Sequence, residues 1–379
     1  MRRVLILGAG FGGLAAATAL RSRLPDEDEV VLVDRKTSYV MGLRKWWAVV
    51  GRSTLDEGRR ELAAVAARGI RFQQGTVESL DPAGRSAVVD GARIEADAVI
   101  IALGAHHDLN AVPGLREHAH NLYDAAAVPG VIEALKAFRG GRLGIGIFGV
   151  PYTCPPAPYE LALLLKDDFD RRGVQAAVEV FTPQPMSLPV IGQENCSTVE
   201  GLLDERGIGF RPNHRALAVR PGEVQFATGP RSYDLVLAIP PHRCPTVLVE
   251  AGLTSDSGWV RVHLATMATS HPGVHAVGDA TEVTLANGMP LPKAGVFAEA
   301  GAAVAAEAIL AAFAGGSSPH HFTGEGYCYL EAGRGEALEV RGHFLAAPAP
   351  RVEVTPPTRE RLEAKEAFER DRLRSWFGA

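Results

Sequence analysis

Three stretches of this sequence predict an α/β chain of two Rossmann-like dinucleotide-binding folds, the second inserted in the first, plus a small C-terminal region. Residues 3–34 read as strand, glycine-rich turn, helix, strand and acid. Residues 142–181 repeat the strand–helix–strand order. Residues 96–105 (ADAVIIALGA) and 233–239 (YDLVLAI) repeat one acid-plus-apolar-strand pattern, once for each unit.

The first unit is the clearest. Arg3 to Leu7 is a short apolar strand, Gly8-Ala9-Gly10-Phe11-Gly12-Gly13 follows, Leu14 to Leu24 reads as an Ala-rich helix, and Val30 to Val33 runs into Asp34. Gly8 permits the tight turn, Gly10 lets the backbone approach a pyrophosphate at the helix N-terminus, and Gly13 allows close helix–strand packing. Asp34 is placed to accept from a ribose hydroxyl. Gly273 to Ala280 (GVHAVGDA) returns to this unit as a late strand, followed by Leu291-Pro292-Lys293-Ala294-Gly295 and a long Ala-rich helix to about Ala312. The divisions expected are residues 1–108 with 245–313, residues 109–244, and residues 314–379.

The chain has 379 residues, enough for two or three domains, with 46% apolar and 22% charged residues. A net charge of −5 argues against a general nucleic-acid binder, which carries a basic stripe. No apolar run is expected to reach the roughly 20 residues that span a bilayer. Met1-Arg2-Arg3 leads straight into a strand, without a visible signal peptide, so a cytoplasmic or membrane-peripheral place is expected. Of the four cysteines, Cys154, Cys196, Cys244 and Cys328, none forms a C-x-x-C pair, so a local zinc site has no support. His106-His107 and His320-His321 read as solvated loops rather than metal ligands, and no metal is expected.

The second unit has lost its nucleotide fingerprint. After the strand at Arg142 to Val150 the turn runs Pro151-Tyr152-Thr153-Cys154-Pro155-Pro156-Ala157-Pro158. Prolines lack an N–H and fix φ, so this loop offers no run of amide donors to a pyrophosphate. Its second strand ends Phe181-Thr182-Pro183, with no acid for a ribose. Cys154, just ahead of a helix, reads either as a redox or nucleophilic thiol made thiolate-like by the helix dipole, or as a buried cysteine in a stiff loop.

These residues, together with Leu291–Glu299 (LPKAGVFAE) and Gly324–Gly333 (GEGYCYLEAG), resemble the sulfide:quinone oxidoreductases and the flavoprotein subunit of flavocytochrome c sulfide dehydrogenase. The resemblance covers nearly the whole chain. It implies an FAD-dependent oxidoreductase in which Cys154 and Cys328 form a disulfide beside the flavin. Hydrosulfide attacks one sulfur, leaving a persulfide and a thiolate that passes two electrons to FAD. Gly8, Gly10, Gly12, Gly13, Asp34, Arg35, Val77, Gly104, Gly278, Asp279 and Lys293 are the cofactor contacts it implies. Lys293 would stabilise negative charge on the reduced ring, or be a surface cation. Glu160 is a proton carrier near the thiols, or a carboxylate placed at a helix N-terminus by the dipole.

Three departures stand out. The stretch His118 to Asp124 lacks the further cysteine of many quinone-reducing members, Gln193 occupies the place of a family histidine, and no cysteine lies near Ser38 to Gly42, so FAD is expected to be non-covalent. The acceptor implied is a quinone, with a c-type cytochrome subunit or an NADH:quinone reductase-like activity as alternatives. Thr358 to Phe377 reads as a helix whose apolar face (Leu362, Leu373, Trp376, Phe377) is interrupted by Glu366 and Glu369, a poor interfacial anchor better docked on protein. Trp46-Trp47 is either a membrane or quinone contact, or core. Cys196 and Cys244 are expected to be structural.

Overall fold

In the computed structural model, which describes residues 1–378, two five-stranded parallel sheets sit beside a smaller antiparallel one. The first sheet runs, edge to edge, Val274–Ala276, Ala98–Ile101, Arg3–Leu7, Glu29–Asp34 and Arg71–Gln74. Its central strands are apolar on both faces because both are covered, as parallel sheets require. On one face Val4, Ile6 and Leu32 join the main core; on the other Leu5, Leu7, Val31 and Val33 pack on Leu80, Val89 and Trp259.

Five helices position the site: α1 (Phe11–Arg21), α2 (Gly42–Val49), α3 (Ala157–Arg172), α4 (Gly295–Phe313) and α5 (Arg359–Phe377). The α1 helix begins three residues earlier than the apolar pattern suggests, because the glycines of the turn already form its first coil. By length and composition alone α4 is long and apolar enough to cross a membrane, but it carries Glu299 and Glu307 and half of that stretch is buried. Its small residues let it lie close on α1; a Cβ at Gly12 would sit 3.7 Å from the Ala298 Cβ.

The second sheet runs His120–Asn121, Leu235–Ile239, Gly141–Ile147, Ala176–Phe181 and Gly209–Arg211, again all parallel. The sequence repeat thus lands at one place in both sheets: Ile101 faces Leu7 and Ile239 faces Ile147. Beyond α4, strands Glu325–Gly333, Glu336–His343 and Arg351–Val354 form an antiparallel sheet, and α5 docks on the chain itself. Leu362, Leu373, Trp376 and Phe377 are buried as the pattern suggests, and so are Lys365 and Glu369. Trp376 meets the Phe11 ring edge-on at 5.2 Å.

Candidate functional site

The first turn is bare and the helix behind it is open. A Cβ at Gly13 would stand 1.8 Å from the Gly8 carbonyl oxygen, so only glycine lets helix and strand approach this closely, whereas a Cβ at Gly10 would meet nothing within 4 Å. No side chain caps α1, leaving its first N–H groups free to meet an anion. Asp34 is committed locally: its carboxylate accepts from the Ala9 N–H at 2.7 Å and the Lys36 N–H at 2.9 Å. The acid therefore holds the fingerprint turn in place.

A cavity of about 320 Å³, mostly apolar, opens from this turn. It gathers Gly10, Gly12, Gly104, Gly278, Asp279, Glu160 and both cysteines, Cys154 and Cys328. The uncapped starts of α1 and α4 and the first turn of α3 all border it. Gly8, Gly13, Asp34, Arg35 and Val77 lie outside its lining; Arg35 is exposed and Val77 packs on the second face of the first sheet. A separate opening of about 430 Å³ between α2 and α5 is walled by ion pairs and holds no cysteine.

Cys154 reaches the cavity from a strained turn. Its φ of +53° is left-handed, costing a non-glycine residue about 1–2 kcal/mol, and the surroundings enforce it. Its N–H donates to the Lys293 carbonyl at 2.6 Å, its own carbonyl accepts from the Ala157 N–H at 2.9 Å, and Thr153 Oγ1 donates to Asp279 Oδ2 at 2.6 Å. The expected low-pKa thiol is corrected here. Burial, reinforced by the charge of Glu160, pushes Cys154 up to about 11. The sulfur is open to the cavity, yet the protein packed around it outweighs whatever the start of α3 contributes. Cys328, on the strand Glu325–Gly333, is pushed well above the ordinary thiol range by burial and then by Cys154. The two sulfurs are not bonded to each other.

Lys293 is buried, but its ammonium does not face this cavity. Nζ donates to the Asp279 carbonyl at 2.6 Å and lies 3.4 Å from the Trp259 ring centroid. Burial brings it down to about 8. It clamps the Gly278–Thr281 turn, in place of the ring-facing cation the resemblance implies.

Glu160 belongs to a buried ion cluster that sequence reasoning missed. Lys365 pairs with Glu160 and, at 3.1 Å, with Glu331. Glu331 also accepts from Trp47 Nε1 at 2.5 Å and from Arg52. Burial raises Glu160 to about 7 against the pull of Lys365. Lys365 is disfavoured by burial, yet the two carboxylates hold it above its ordinary value. A signal was present: residues 362, 365, 369, 373 and 376 share one face of α5, so the charges at 365 and 369 fall on the side its leucines and tryptophan bury.

Trp46 and Trp47 are both buried, and Trp46 borders the cavity. The segment lacking a third cysteine supplies Tyr123 to the wall, its hydroxyl donating to the Cys154 carbonyl at 3.4 Å. Gln193 starts another helix and lies outside the lining, and Cys196 and Cys244 are buried in separate cores. His107 corrects the solvated-loop expectation. It pairs with His242 across a short two-stranded ribbon with rings 4.6 Å apart, and burial followed by His242 brings it down to about 3. No cluster of three His, Cys, Asp or Glu suited to a metal occurs among the described residues.

The family model for pyridine nucleotide-disulphide oxidoreductases matches residues 2–306. The mitochondrial sulfide:quinone oxidoreductase of Mus musculus is 24% identical over 298 residues, covering 74% of this chain and 66% of that protein. The chain thus spans just under two thirds of that relative's length. The sulfide:quinone oxidoreductase structure from Aquifex aeolicus superposes with a TM-score of 0.91 at 22% identity, over 100% of this chain and 92% of that one. An NAD-dependent persulfide reductase from A. fulgidus superposes at 0.72 and 19% identity, over 90% and 64%.

Proposed function

The chain belongs to the pyridine nucleotide-disulphide oxidoreductase family, and from that premise we propose an FAD-dependent enzyme that oxidises sulfide through Cys154 and Cys328 and delivers the electrons to a quinone. The observation that carries this reading is that two cysteines from distant parts of the chain border the one cavity opened by the fingerprint turn.

The residues fit FAD. The bare Gly10 and the uncapped N–H groups of α1 suit its phosphates. The uncapped start of α4, Ala294 to Val296, borders the same cavity and suits a ring that gains negative charge. No cysteine occurs at residues 38–42, which favours FAD held without a covalent bond. When bound, FAD supplies a two-electron acceptor beside the sulfurs.

The thiol chemistry runs between dithiol and disulfide. Hydrosulfide attacks one sulfur of the Cys154–Cys328 disulfide. That S–S bond breaks, a new one forms as a persulfide, and the other cysteine leaves as a thiolate carrying the negative charge. Passing the outer sulfur to a second sulfur nucleophile, with loss of two electrons, restores the disulfide. Glu160, poised near 7, takes the proton that the incoming sulfur or the restored thiol must shed.

Phe11, Tyr327 and Phe368 stand together on the cavity wall, Phe368 lying 6.1 Å from Phe11 and 6.0 Å from Tyr327. A planar quinone ring suits these aromatic faces. Because quinones reside in lipid, the chain works in this reading at a membrane surface. The proline-bound turn of the second sheet argues against NADH as donor.

Anaerobic titration of the flavoprotein with sulfide and, separately, with NADH tests this. Sulfide bleaches the flavin and NADH does not; Cys328→Ser keeps its flavin but loses sulfide-driven bleaching by about 10³-fold or more. Bleaching by NADH alone overturns the reading. Reoxidation by a soluble quinone rather than by cytochrome c identifies the acceptor.

A further inference from the structure

Lys45, on α2, has no part in the chemistry above, yet it borders the cysteine cavity. Its Nζ donates to the Tyr123 carbonyl at 2.7 Å. The rings of Trp46 and Tyr123 lie 5.4 and 5.2 Å from it, aromatic faces that accommodate a cation without neutralising it. The other ammonium on this wall, Lys365, is taken by Glu160 and Glu331. Lys293 is taken by backbone carbonyls behind the loop. Lys45 has no carboxylate partner among the described residues, and the Tyr123 carbonyl occupies one of its three N–H donors. Tyr123 also ties it to the reacting sulfur, because the same residue's hydroxyl donates to the Cys154 carbonyl at 3.4 Å.

We propose that Lys45 is the cation that receives anionic sulfur at Cys154, favouring the Cys154 thiolate and drawing in hydrosulfide as an anion. The inference rests on the sulfide reading above and gives that site its charge selectivity. Enclosure makes the arrangement effective. A cation without a counterion on the wall of a mostly apolar cavity interacts strongly with any anion that enters. Behind Lys365, which is already paired with two carboxylates, the charge of Lys45 also opposes the upward push that burial gives the thiol. The titratable groups that feel Lys45 are Cys154, Lys36 and Asp124, with His107 and His242 on the neighbouring ribbon. Burial itself brings Lys45 down to about 8.

The test uses the flavoprotein carrying Cys328→Ser, with alkylation of Cys154 followed by mass spectrometry of its peptide. Lys45→Met slows iodoacetamide at pH 8 about tenfold, the equivalent of one pKa unit, and Lys45→Arg restores the rate to within about threefold. An unchanged rate in Lys45→Met overturns the proposal. A second measurement leaves Lys45 intact. The rate of anionic iodoacetate relative to neutral iodoacetamide falls as pH rises through about 8, where Lys45 loses its charge. A flat ratio overturns the proposal even if the Met variant fails to fold. Neither readout uses sulfide. Flavin bleaching by sulfide with alkylation indifferent to Lys45 keeps the function and removes this inference. Alkylation dependent on Lys45 without bleaching keeps the cation and removes the sulfide substrate.

Discussion

The turn Gly8–Gly13 and the turn Gly149–Pro158 occupy the same place in two sheets that share the order of four strands and differ in the fifth, and they have become opposite things. In the first, glycines strip the surface and α1 presents free N–H groups to a cavity. In the second, prolines remove donors, and two of the amides that remain are spent within the protein: Cys154 N–H on Lys293 and Ala157 N–H on Cys154. Thr153 adds a bond to Asp279, so the second turn is stitched onto the late strand and loop of the first unit. What was lost as a nucleotide cradle serves as a clamp that holds a thiol over the neighbouring unit's cavity. Topology alone does not determine a ligand; the backbone donors left over after folding do.

The sharpest way to break this comparison is at Gly10. Because a Cβ there meets nothing within 4 Å, Gly10→Val leaves unfolding by denaturant unchanged while flavin affinity falls about 100-fold or more, roughly 3 kcal/mol, read by equilibrium dialysis against FAD. Retained affinity would mean that the first turn is no cradle. On the other side, Pro155→Gly with Pro156→Gly leaves the flavin unreduced by NADH, since returning two amides supplies neither the turn nor the acid of a nucleotide site.

A smaller effect is expected at Glu160. It is protonated below about 7 and a carboxylate above, so it accepts a proton only on the alkaline side. The ratio of wild-type to Glu160→Gln rates of sulfide-driven flavin reduction therefore rises with pH through about 7, approaching about 100-fold. Taking the ratio cancels the ionisation of sulfide itself, and a ratio independent of pH assigns Glu160 a purely structural part.

The smallest effect belongs to the second sheet's own buried carboxylate. Burial raises Glu179, but Arg231 and Arg211 outweigh it and bring it down to about 2; Arg211 is bound at 3.1 Å. Its contribution is complete above the ordinary carboxylate range and is lost as pH falls toward 2. Glu179→Gln lowers stability by about 1–2 kcal/mol at pH 7, discounted for the half-exposed arginines. In chemical denaturation that difference shrinks as the solution is acidified. Because this cluster faces no cysteine, flavin reduction by sulfide is untouched.

Much was legible before folding. The strands, the fingerprint and the repeat that gives both sheets their order are local signals, set by apolar runs and glycine spacing, and they recur at the predicted places. The shortage of amide donors in the proline turn was legible too, because proline's missing N–H is a property of the residue alone. The charge states were not. Cys154 read as thiolate-prone from its position before a helix, and reading the C-terminal helix by its apolar face passed over Lys365.

Sequence by itself determined which backbone segments are rigid, bare or stripped of donors, because those properties belong to single residues and their neighbours. Only the tertiary structure decided that Cys328 and Cys154 border one cavity, that Lys365 is buried between two carboxylates and Lys45 is left without one, and that the surroundings of the Cys154 thiol drive it upward rather than down. Those outcomes depend on desolvation and on charges brought together from distant elements, quantities that no local stretch of sequence contains.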